Sequence, residues 1–298
     1  MRHIAFILLV AVALAAHGQQ QGSVAAKDSL AVVHAPWTID TIGGLVLKTV
    51  QYSGQELFGA NQYMAMLEIP RKSHYRLAFT HEQRRTLTSV QARRHRAVAA
   101  INGSFFDMEH HNPICYLRIG GRELGENTPG TDRIHRKYYQ YGSMSLRNGR
   151  PHIFRTDSAR CWESSLPDSN IMTAGPLLIS HGEIQPQRND RTFITQRHNR
   201  TAIGVKADGT VVLFVVDGRM KESAGMTMPE LSKTLYWIGC LDALNLDGGG
   251  STTLWLGNLP KKVKAQASNG LVNHPSDNGK YDYQGERPVS NCVIVVRK

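Results

Sequence analysis

Residues 244–254 read L-N-L-D-G-G-G-S-T-T-L, so a short apolar run ends in Asp247 and three consecutive glycines follow it. Glycine inside a regular element costs roughly 0.5–1 kcal/mol relative to alanine, so such a run indicates a sharp bend or a close approach to the backbone. Asp-Gly is also typical of a hairpin turn. The stretch therefore predicts a buried strand that ends in a carboxylate and a glycine-rich loop, either a turn or a ligand-binding loop.

Two other apolar runs end in the same way. A-V-A-A-I-N-G-S ends in Asn102, and V-L-F-V-V-D-G-R ends in Asp217, each followed by glycine. A polar side chain at the end of a buried strand, beside glycine, lies where the backbone can approach a ligand closely. A hairpin turn does not suit Asp217, because a long loop and a helical pattern follow it, nor Asp247, because three glycines follow it. We therefore expect these strand ends to carry functional groups.

The rest of the chain is dominated by short β-like runs from about residue 37. Two helices are also predicted. One follows Thr88, with Gln91 as its capping-box partner, and the other follows Thr227, with Pro229 in its first turn and Glu230 completing the box. The pattern predicts one α+β domain over residues 37–298, a mixed β-sheet with a few flanking helices. The predicted strands are 45–52, 63–69, 75–80, 98–101, 116–119, 143–146, 177–180, 201–205, 211–216, 243–246 and 289–296.

The glycine loop does not have the spacing of the common nucleotide-binding loops. No lysine follows the glycines as a Walker A loop requires, Thr253 occupies the third-glycine position of a dinucleotide loop, and Ser251 lacks a G-x-S-x-G elbow. Backbone N–H groups and hydroxyls remain, and such groups can hold an oxyanion. A phosphate beside Asp247 needs a balancing cation, and guanidinium groups bind phosphate bidentately. The predicted anion-binding residues are Arg200, Arg219, Gly248, Gly249, Gly250, Ser251 and Thr252.

The first residues predict export. Residues 1–18 begin with the basic Met1-Arg2-His3, continue with an apolar run and reach the small-residue pattern Ala16-His17-Gly18, as a cleaved secretory signal does. The apolar run is short for a membrane span and no later stretch replaces it. We therefore expect a periplasmic or extracellular protein without a stable membrane anchor. Residues 19–36 are polar, and we expect them to form a mobile leader before the domain.

The formal net charge of +11 makes an anionic partner plausible. Nucleic acid is not expected, because no nucleic-acid-binding signature accompanies the densest basic stretch, residues 84–96. No metal or other cofactor is expected either. The pair His110-His111 lacks further ligands, and residues 277–282 lack the terminal glutamate of a calcium loop. The sequence leaves the oligomeric state open.

The four cysteines are expected to be structural. They are widely spaced and include no C-x-x-C pair, which argues against zinc or redox chemistry. An oxidising compartment allows disulfides with three full pairings, whereas burial as free thiols suits the apolar patterns around two of them. The four are Cys115, Cys161, Cys240 and Cys292.

Seven motifs, in this order, resemble those of the phosphodiester glycosidase family. They are I-N-G-S-F-F-D (101–107), T-A-G-P-L-L-I (173–179), R-T-A-I-G-V (200–205), V-V-D-G-R (215–219), G-M-T-M-P-E-L (225–231), N-L-D-G-G-G-S-T-T (245–253) and R-P-V-S-N (287–291). The resemblance covers about residues 87–298. It implies hydrolysis of the bond between a sugar's anomeric carbon and a phosphodiester, small or polymeric, which releases the sugar and a phosphomonoester.

The resemblance also implies roles for the site residues. A phosphate leaving group, with a second pKa of about 6, needs little help from a proton donor. An aspartate is still needed to attack the sugar or to activate water, and Asp217 and Asp247 fit these catalytic roles. Retention or inversion at the anomeric carbon stays open. Asn102 and Asp107 are assigned to sugar hydroxyls, and Phe105-Phe106 to a stacking surface or to the core.

Two alternatives stay open beside this hydrolase. A non-catalytic binder of phosphorylated surface glycans would keep the loop and the arginines, but it gains nothing from Asp217 and Asp247 beside an anion. A glycosidase acting on phosphate-free glycosides would need a carboxylic acid of raised pKa as its proton donor. The two carboxylates favour an enzyme over a binder.

Overall fold

A computed structural model of the chain describes residues 26–128, 137, 140–156, 162–187, 191–258 and 269–298. The predicted signal peptide, the first part of the leader and Cys161 lie outside these residues. The strands are β1 Thr38–Ile42, β2 Leu45–Leu57, β3 Ala60–Ile69, β4 Tyr75–Leu87, β5 Ala99–Asn102, β6 Leu117–Ile119, β7 Arg122–Gly125, β8 Gly142–Arg147, β9 Arg150–Arg155, β10 Ile171–Ala174, β11 Leu177–Ser180, β12 Glu183–Ile184, β13 Arg200–Lys206, β14 Val211–Val216, β15 Cys240–Asn245, β16 Leu254–Leu256 and β17 Pro288–Arg297. The helices are α1 (residues 26–33), α2 Thr88–Arg94, α3 Thr192–Thr195 and α4 Met228–Trp237.

The described strands form three sheets. The largest has eight strands in the order β1-β2-β3-β14-β13-β15-β11-β12, the second has five in the order β7-β6-β10-β8-β9, and the third has four in the order β16-β5-β17-β4. Every strand pair within the described residues is antiparallel, so the expected mixed sheet is wrong. Turns such as Asn148-Gly149 join consecutive strands directly, and such hairpins produce antiparallel pairs. The fold is thus a strand-rich α+β arrangement.

The core lies on both faces of the eight-stranded sheet. In β14, Leu213 and Val215 pack towards the two smaller sheets, whereas Phe214 and Val216 pack into a second cluster that includes residues of α1 and α4. Successive side chains of a strand point to opposite faces, so a strand covered on both sides is apolar throughout. This placement explains the uninterrupted sequence V-V-L-F-V-V of β14.

The helix signals in the sequence have different outcomes. The capping box of α4 is confirmed, because the Thr227 side chain accepts from the Glu230 N–H and the Glu230 side chain accepts from the Thr227 N–H. The box expected at Thr88 is wrong, because Thr88 is already helical and Gln91 instead bonds to neighbouring strands. In the part of the chain that the structure describes, no helix has the length and apolar character needed to cross a membrane.

Helix α1 corrects the expected extent of the leader. Its Val32 is buried in the second core cluster. The Asp28 Oδ1 accepts from the Phe58 N–H at 2.9 Å, and the Tyr52 hydroxyl donates to the Ala31 carbonyl at 2.6 Å. The folded part therefore begins before Trp37, because part of the polar leader has an apolar face that packs on the sheet.

The cysteines within the described residues are free and buried: Cys115, Cys240 and Cys292. Burial raises the pKa of Cys240 and that of Cys292 to about 12, so both are protonated at neutral pH. Such thiols are unreactive and contribute to packing. This agrees with the structural role expected for them.

Candidate active site

The ends of β5 and β15 are joined through Asn102. Its Nδ2 donates to the Asp247 carbonyl at 2.6 Å, and its Oδ1 accepts from the Thr201 hydroxyl at 2.8 Å and from the Thr253 N–H at 3.1 Å. Asn102 is completely buried, and its amide is used by these contacts. It therefore holds the strand ends together and lies behind the site, away from the position expected for a sugar ligand.

A cavity of about 400 Å³ opens in front of these strand ends. Six of the predicted site residues line it: Arg200, Arg219, Asp247, Gly248, Gly249 and Gly250. Phe105 and Phe106, which the sequence assigns to a stacking surface or to the core, also line it. Residues without a predicted role complete the lining: Met108, Ile114, Thr192, Phe193, His198 and Arg287. The lining thus has a cationic and polar part and an aromatic and aliphatic part, which meet where the Arg200 guanidinium lies 5.0 Å from the centroid of the Phe193 ring.

The glycines after Asp247 are required by close contacts. Gly249 has φ of +61°, and a Cβ there would lie 3.2 Å from Nη2 of Arg219. A Cβ on Gly250 would lie 2.5 Å from Nη2 of Arg287 and 2.6 Å from Oδ1 of Asp277. Side chains would strain the backbone at the first position and displace an arginine at the second. The loop therefore lets two guanidinium groups approach its backbone.

Most amides of this loop are already used within the protein. The Gly248 N–H donates to Oδ1 of Asp247 and the Gly249 N–H to the Asn199 carbonyl, both at 2.9 Å. The Ser251 N–H donates to the Gly248 carbonyl and the Thr252 N–H to the Gly249 carbonyl, both at 3.2 Å, and these bonds close a 3-10 turn. Among the described residues, the Gly250 N–H alone of this run has no acceptor. The expected cradle of several amides is thus reduced to one.

Ser251 and Thr252 do not reach the cavity. Both are completely buried, because the 3-10 turn directs the chain back into the fold towards β16. Their prediction as substrate ligands assumed that the whole hydroxyl run faces the same side as the glycines. The turn separates the two halves of the run, and only the glycine half lines the cavity.

The three arginines of the cavity differ in how far their charge is available. Arg200 is 1% exposed, and it donates from Nε to the Met226 carbonyl at 2.7 Å and from Nη2 to the carbonyls of Phe193 and Gln196, each at 2.8 Å. Arg219 is exposed and donates from Nε to Nδ1 of His198 at 3.1 Å. Arg287 is paired with Asp277, with Nε 2.7 Å from Oδ1. Arg200 mainly fixes the backbone, whereas Arg219 points its charge at solvent and cavity.

His198 is a neutral hydrogen-bond donor at the cationic side. Burial, together with the charges of Arg200 and Arg219, lowers its pKa to about 4. Its Nδ1 accepts from Arg219, so the ring hydrogen of the neutral form is on Nε2. At neutral pH, His198 can therefore donate one hydrogen bond without adding a charge.

Asp247 is the carboxylate that faces the cavity, and within the described part of the lining it is the only one. Burial raises its pKa to about 6, although the Ser251 hydroxyl, the Gly248 N–H and the charge of Arg287 all oppose that rise. The group is therefore ionised at neutral pH and becomes protonated in mild acid. A carboxylate held in this way suits a nucleophile or a general base.

Asp217 lies elsewhere. It is 1% exposed and does not line the cavity. Its Oδ1 accepts from Nδ2 of Asn273 at 2.9 Å, and its Oδ2 accepts from the His274 N–H at 3.0 Å and lies 2.8 Å from Nδ1 of His274. Asn273 also donates to the Thr252 carbonyl at 3.1 Å and accepts from the Leu254 N–H at 2.8 Å. Asp217 therefore supports the loop from behind, so the structure does not bring the two predicted catalytic aspartates into one cavity.

Asp107 shapes the loop that carries the apolar side of the cavity. Its Oδ1 accepts from the N–H groups of Glu109 and His110 at 2.7 and 2.8 Å, and these bonds lower its pKa. It does not line the cavity, although its neighbours do. Phe105 meets Phe193 edge-on with ring centroids 6.0 Å apart, and Phe106 is largely buried in a core cluster.

The sequence also matches known proteins. A family model described as phosphodiester glycosidase matches residues 95–296, most of the chain. The chain belongs to the phosphodiester glycosidase family. It is 26% identical over 227 residues to bovine N-acetylglucosamine-1-phosphodiester alpha-N-acetylglucosaminidase, a match that covers 72% of this chain and 39% of the bovine protein. The mouse enzyme of that name is 30% identical over 129 residues, which cover 43% of this chain and 23% of the mouse protein. The chain thus spans less than half the length of these curated relatives.

Solved structures of similar fold include the catalytic domain of the zebrafish enzyme of the same name. Its TM-score is 0.63 at 20% identity, and the match covers 85% of this chain and 83% of that one. A hypothetical protein from Synechocystis matches with a TM-score of 0.60 at 17% identity, covering 88% of this chain and 64% of the other. At 20% and 17% identity, these two structural similarities establish the fold of the chain.

Two cavity residues of this phosphodiester glycosidase could have been predicted from its sequence. Arg287 begins the motif R-P-V-S-N, and His198 lies two residues before Arg200, on the same side of an extended chain. Neither residue lies at the end of an apolar run beside a glycine, which is the pattern that predicts functional roles for Asp217 and Asp247. Within the described residues, no group of three or more His, Cys, Asp or Glu side chains is arranged to hold a metal ion.

Proposed function

We propose that this member of the family hydrolyses the anomeric C–O bond of a sugar-1-phosphodiester, releasing the sugar and a phosphomonoester. The observation that carries the proposal is the composition of one cavity, in which Asp247 shares the space with Arg219, Arg287 and His198. One carboxylate with several cationic and hydrogen-bonding groups suits a substrate that is anionic on one side of the scissile bond and a sugar on the other. The family of glycosidases to which the chain belongs supports the same reaction.

The phosphodiester is placed against the cationic side. Arg219 and Arg287 supply charge, His198 donates through Nε2, and the Gly250 N–H offers a fixed backbone donor. Arg219 and His198 are held by the hydrogen bond between them, and Arg287 is held by Asp277. These groups therefore need little reorganisation when charge develops on the leaving phosphate. Arg200 adds positive potential from a buried position.

Asp247 then acts at the anomeric carbon. In its ionised form it either attacks that carbon or removes a proton from a water molecule that attacks it. In both routes the C–O bond breaks with its electron pair going to the phosphate oxygen, and water finally supplies the hydroxyl of the sugar. The phosphate leaves without a strong proton donor because its second pKa is about 6. A second carboxylate is therefore not essential to this scheme.

The apolar side of the cavity receives the sugar ring or the group beyond the phosphate. Phe105, Met108 and Phe193 contribute it, together with Phe106 and Ile114. Ligand pockets generally combine such an apolar surface with a few polar groups that fix orientation. The cavity thus offers apolar contact area for one half of the substrate as well as charge for the other.

A second candidate is hydrolysis of phosphate-free glycosides. The observation that favours it is the pKa of Asp247, raised by burial to about 6, which makes this group a proton donor in mild acid. Ordinary glycosidases pair such an acid with a second carboxylate. Asp217, the predicted partner, is engaged behind the loop, so the phosphodiester remains the preferred substrate.

The test is a substrate panel. Purified protein is assayed against glycosyl phosphodiesters that differ in sugar and aglycone, and against aryl glycosides that have the same sugars but no phosphate. We expect turnover of phosphodiesters with release of a phosphomonoester. Faster turnover of the matched phosphate-free glycosides would favour the second candidate, and tight binding of phosphodiesters without any turnover would indicate a binder.

We also propose that the protein is exported and acts on surface or wall polymers outside the cytoplasm. The support is the sequence of residues 1–18 together with the net charge of +11, which suits anionic polymers. Mass spectrometry of the protein from its native host should find a mature chain that begins near Gln19. Recovery of chains that retain Met1–Gly18 would contradict the proposal.

A further inference from the structure

Strand β4 has an open edge. It is the last strand of the four-stranded sheet and pairs only with β17, with Leu77 opposite Val295, Phe79 opposite Val293 and His81 opposite Asn291. The Leu77 N–H donates away from β17, to the Gly149 carbonyl at 2.8 Å. In an antiparallel pair, residues whose N–H and C=O groups bond to the neighbouring strand alternate with residues whose groups point away from it. Phe79 and His81 follow Leu77 at intervals of two, so their N–H and C=O groups also point away from β17. Within the described part of the chain, no backbone partner meets them.

A groove runs along this edge. It consists of two adjoining cavities of about 540 and 390 Å³, which share Phe79 and Ile119 as lining residues. One wall is β4, and the opposite wall comes from β6, β7 and the β8–β9 turn. Its lining includes apolar residues such as Leu77 and Leu146, and amide and hydroxyl side chains such as Asn148 and Asn170 in the larger of the two cavities. The groove is separate from the cavity of Asp247, because the linings share no residue.

The groove is positively charged. The charged residues of its lining are Arg76 and Arg122, and among the described residues the lining includes no carboxylate. Burial lowers the pKa of His81, which also lines the groove, so this ring adds no charge at neutral pH. Neither arginine forms an ion pair with a carboxylate in the part of the chain that the structure describes. Two unpaired guanidinium groups along an apolar groove therefore favour an acidic occupant.

We propose that this groove binds an extended acidic peptide segment of a partner protein, which adds to the edge of β4 as a further strand. The outward groups of Phe79 and His81 would form main-chain hydrogen bonds with the peptide. Alternate side chains of the peptide would enter the groove over Phe79 and Ile119, and its acidic side chains would meet Arg76 and Arg122. Open strand edges readily pair with other chains unless they are covered, which makes this edge suited to the role.

The test uses a labelled ten-residue peptide of alternating threonine and glutamate, its lysine counterpart, and a glutamate peptide N-methylated at alternate residues. Fluorescence anisotropy with the full chain should show binding of the unmodified glutamate peptide alone. Arg122→Glu should raise its Kd by roughly tenfold or more, because it places a like charge in the groove. Lys221→Glu is the matched control. It makes the same charge change at an exposed lysine outside the groove, and should leave the Kd within about twofold.

Amide hydrogen exchange gives a second readout that depends on the backbone. The bound peptide should slow exchange at Phe79 and His81, while hydrolysis of a glycosyl phosphodiester by Arg122→Glu stays at the wild-type rate. Equal binding of the N-methylated peptide would show that charge alone is responsible, which overturns the added strand. Absence of peptide binding also overturns it, as does selective, Arg122-dependent binding of an acidic polysaccharide such as alginate in its place.

Discussion

Replacing Gly250 with alanine tests how the glycine loop controls the arginine beside it. The new Cβ would lie 2.5 Å from Nη2 of Arg287 and 2.6 Å from Oδ1 of Asp277. Non-bonded heavy atoms settle near 3.5 Å, so the ion pair must retreat by about 1 Å. The displaced atoms are the ends of side chains and Gly250 does not have positive φ, so we expect a stability loss within about 1 kcal/mol.

The effect on catalysis should be larger. A displacement of about 1 Å removes a charge-assisted hydrogen bond from Arg287 to the phosphate, which is worth about 1.5–3 kcal/mol. That range corresponds to a fall in kcat/KM of roughly ten- to a hundredfold for a glycosyl phosphodiester. The assay is steady-state kinetics on protein whose melting temperature and circular dichroism match those of the wild type.

A double-mutant cycle with Arg287→Ala identifies the cause. If Gly250→Ala acts by displacing Arg287, the double variant should be little worse than Arg287→Ala alone. Wild-type kcat/KM in a folded Gly250→Ala protein would refute the reasoning. So would single effects that multiply fully in the double variant, because the loop would then act independently of Arg287.

Three further predictions concern the charged groups around the loop. The kcat/KM for a phosphodiester should fall as the pH drops below about 6, since protonation of Asp247, whose pKa burial raises, removes the reacting carboxylate; a flat profile from pH 5 to 8 would contradict this. Asp217→Asn should lower the free energy of unfolding by about 1–3 kcal/mol, because the amide nitrogen cannot accept the hydrogen bonds that the buried carboxylate accepts from Asn273 and His274, and should keep kcat within about tenfold. A hundredfold loss of kcat at an unchanged melting temperature would show instead that Asp217 is catalytic. Arg219→Ala should reduce turnover of phosphodiesters far more than turnover of any neutral aryl glycoside that the enzyme accepts. Equal losses on both substrates would show that Arg219 does not bind the phosphate.

Much of the fold could be predicted from local patterns. The strand runs and α4 are confirmed because their signals are local, namely alternation or apolar runs bounded by turns, and a complete capping box at Thr227. The antiparallel order of three sheets could not be predicted, since it depends on which strands meet across the core. The same holds for α1, whose packing depends on a distant part of β2 and the turn after it.

The site was harder to predict because a buried strand does not reveal which way its last side chain points. The sequence V-V-L-F-V-V before Asp217 is apolar on both faces, so it gives no alternation from which to place the aspartate. In the structure Asp217 turns towards Asn273 and His274, whereas Asp247 faces the cavity. Likewise, nothing in G-G-G-S-T-T indicates the turn that uses its amides internally.

Asp247→Asn is the measurement that tests the central claim most directly, because asparagine keeps the size of the side chain and removes its charge. On a glycosyl phosphodiester we predict a fall in kcat of at least about a hundredfold, with the melting temperature nearly unchanged, since a carboxylate that reacts in the transition state cannot be replaced by a neutral amide. Full turnover by a correctly folded Asp247→Asn protein would contradict the account and leave residues 244–254 as a tight turn at the end of a buried strand.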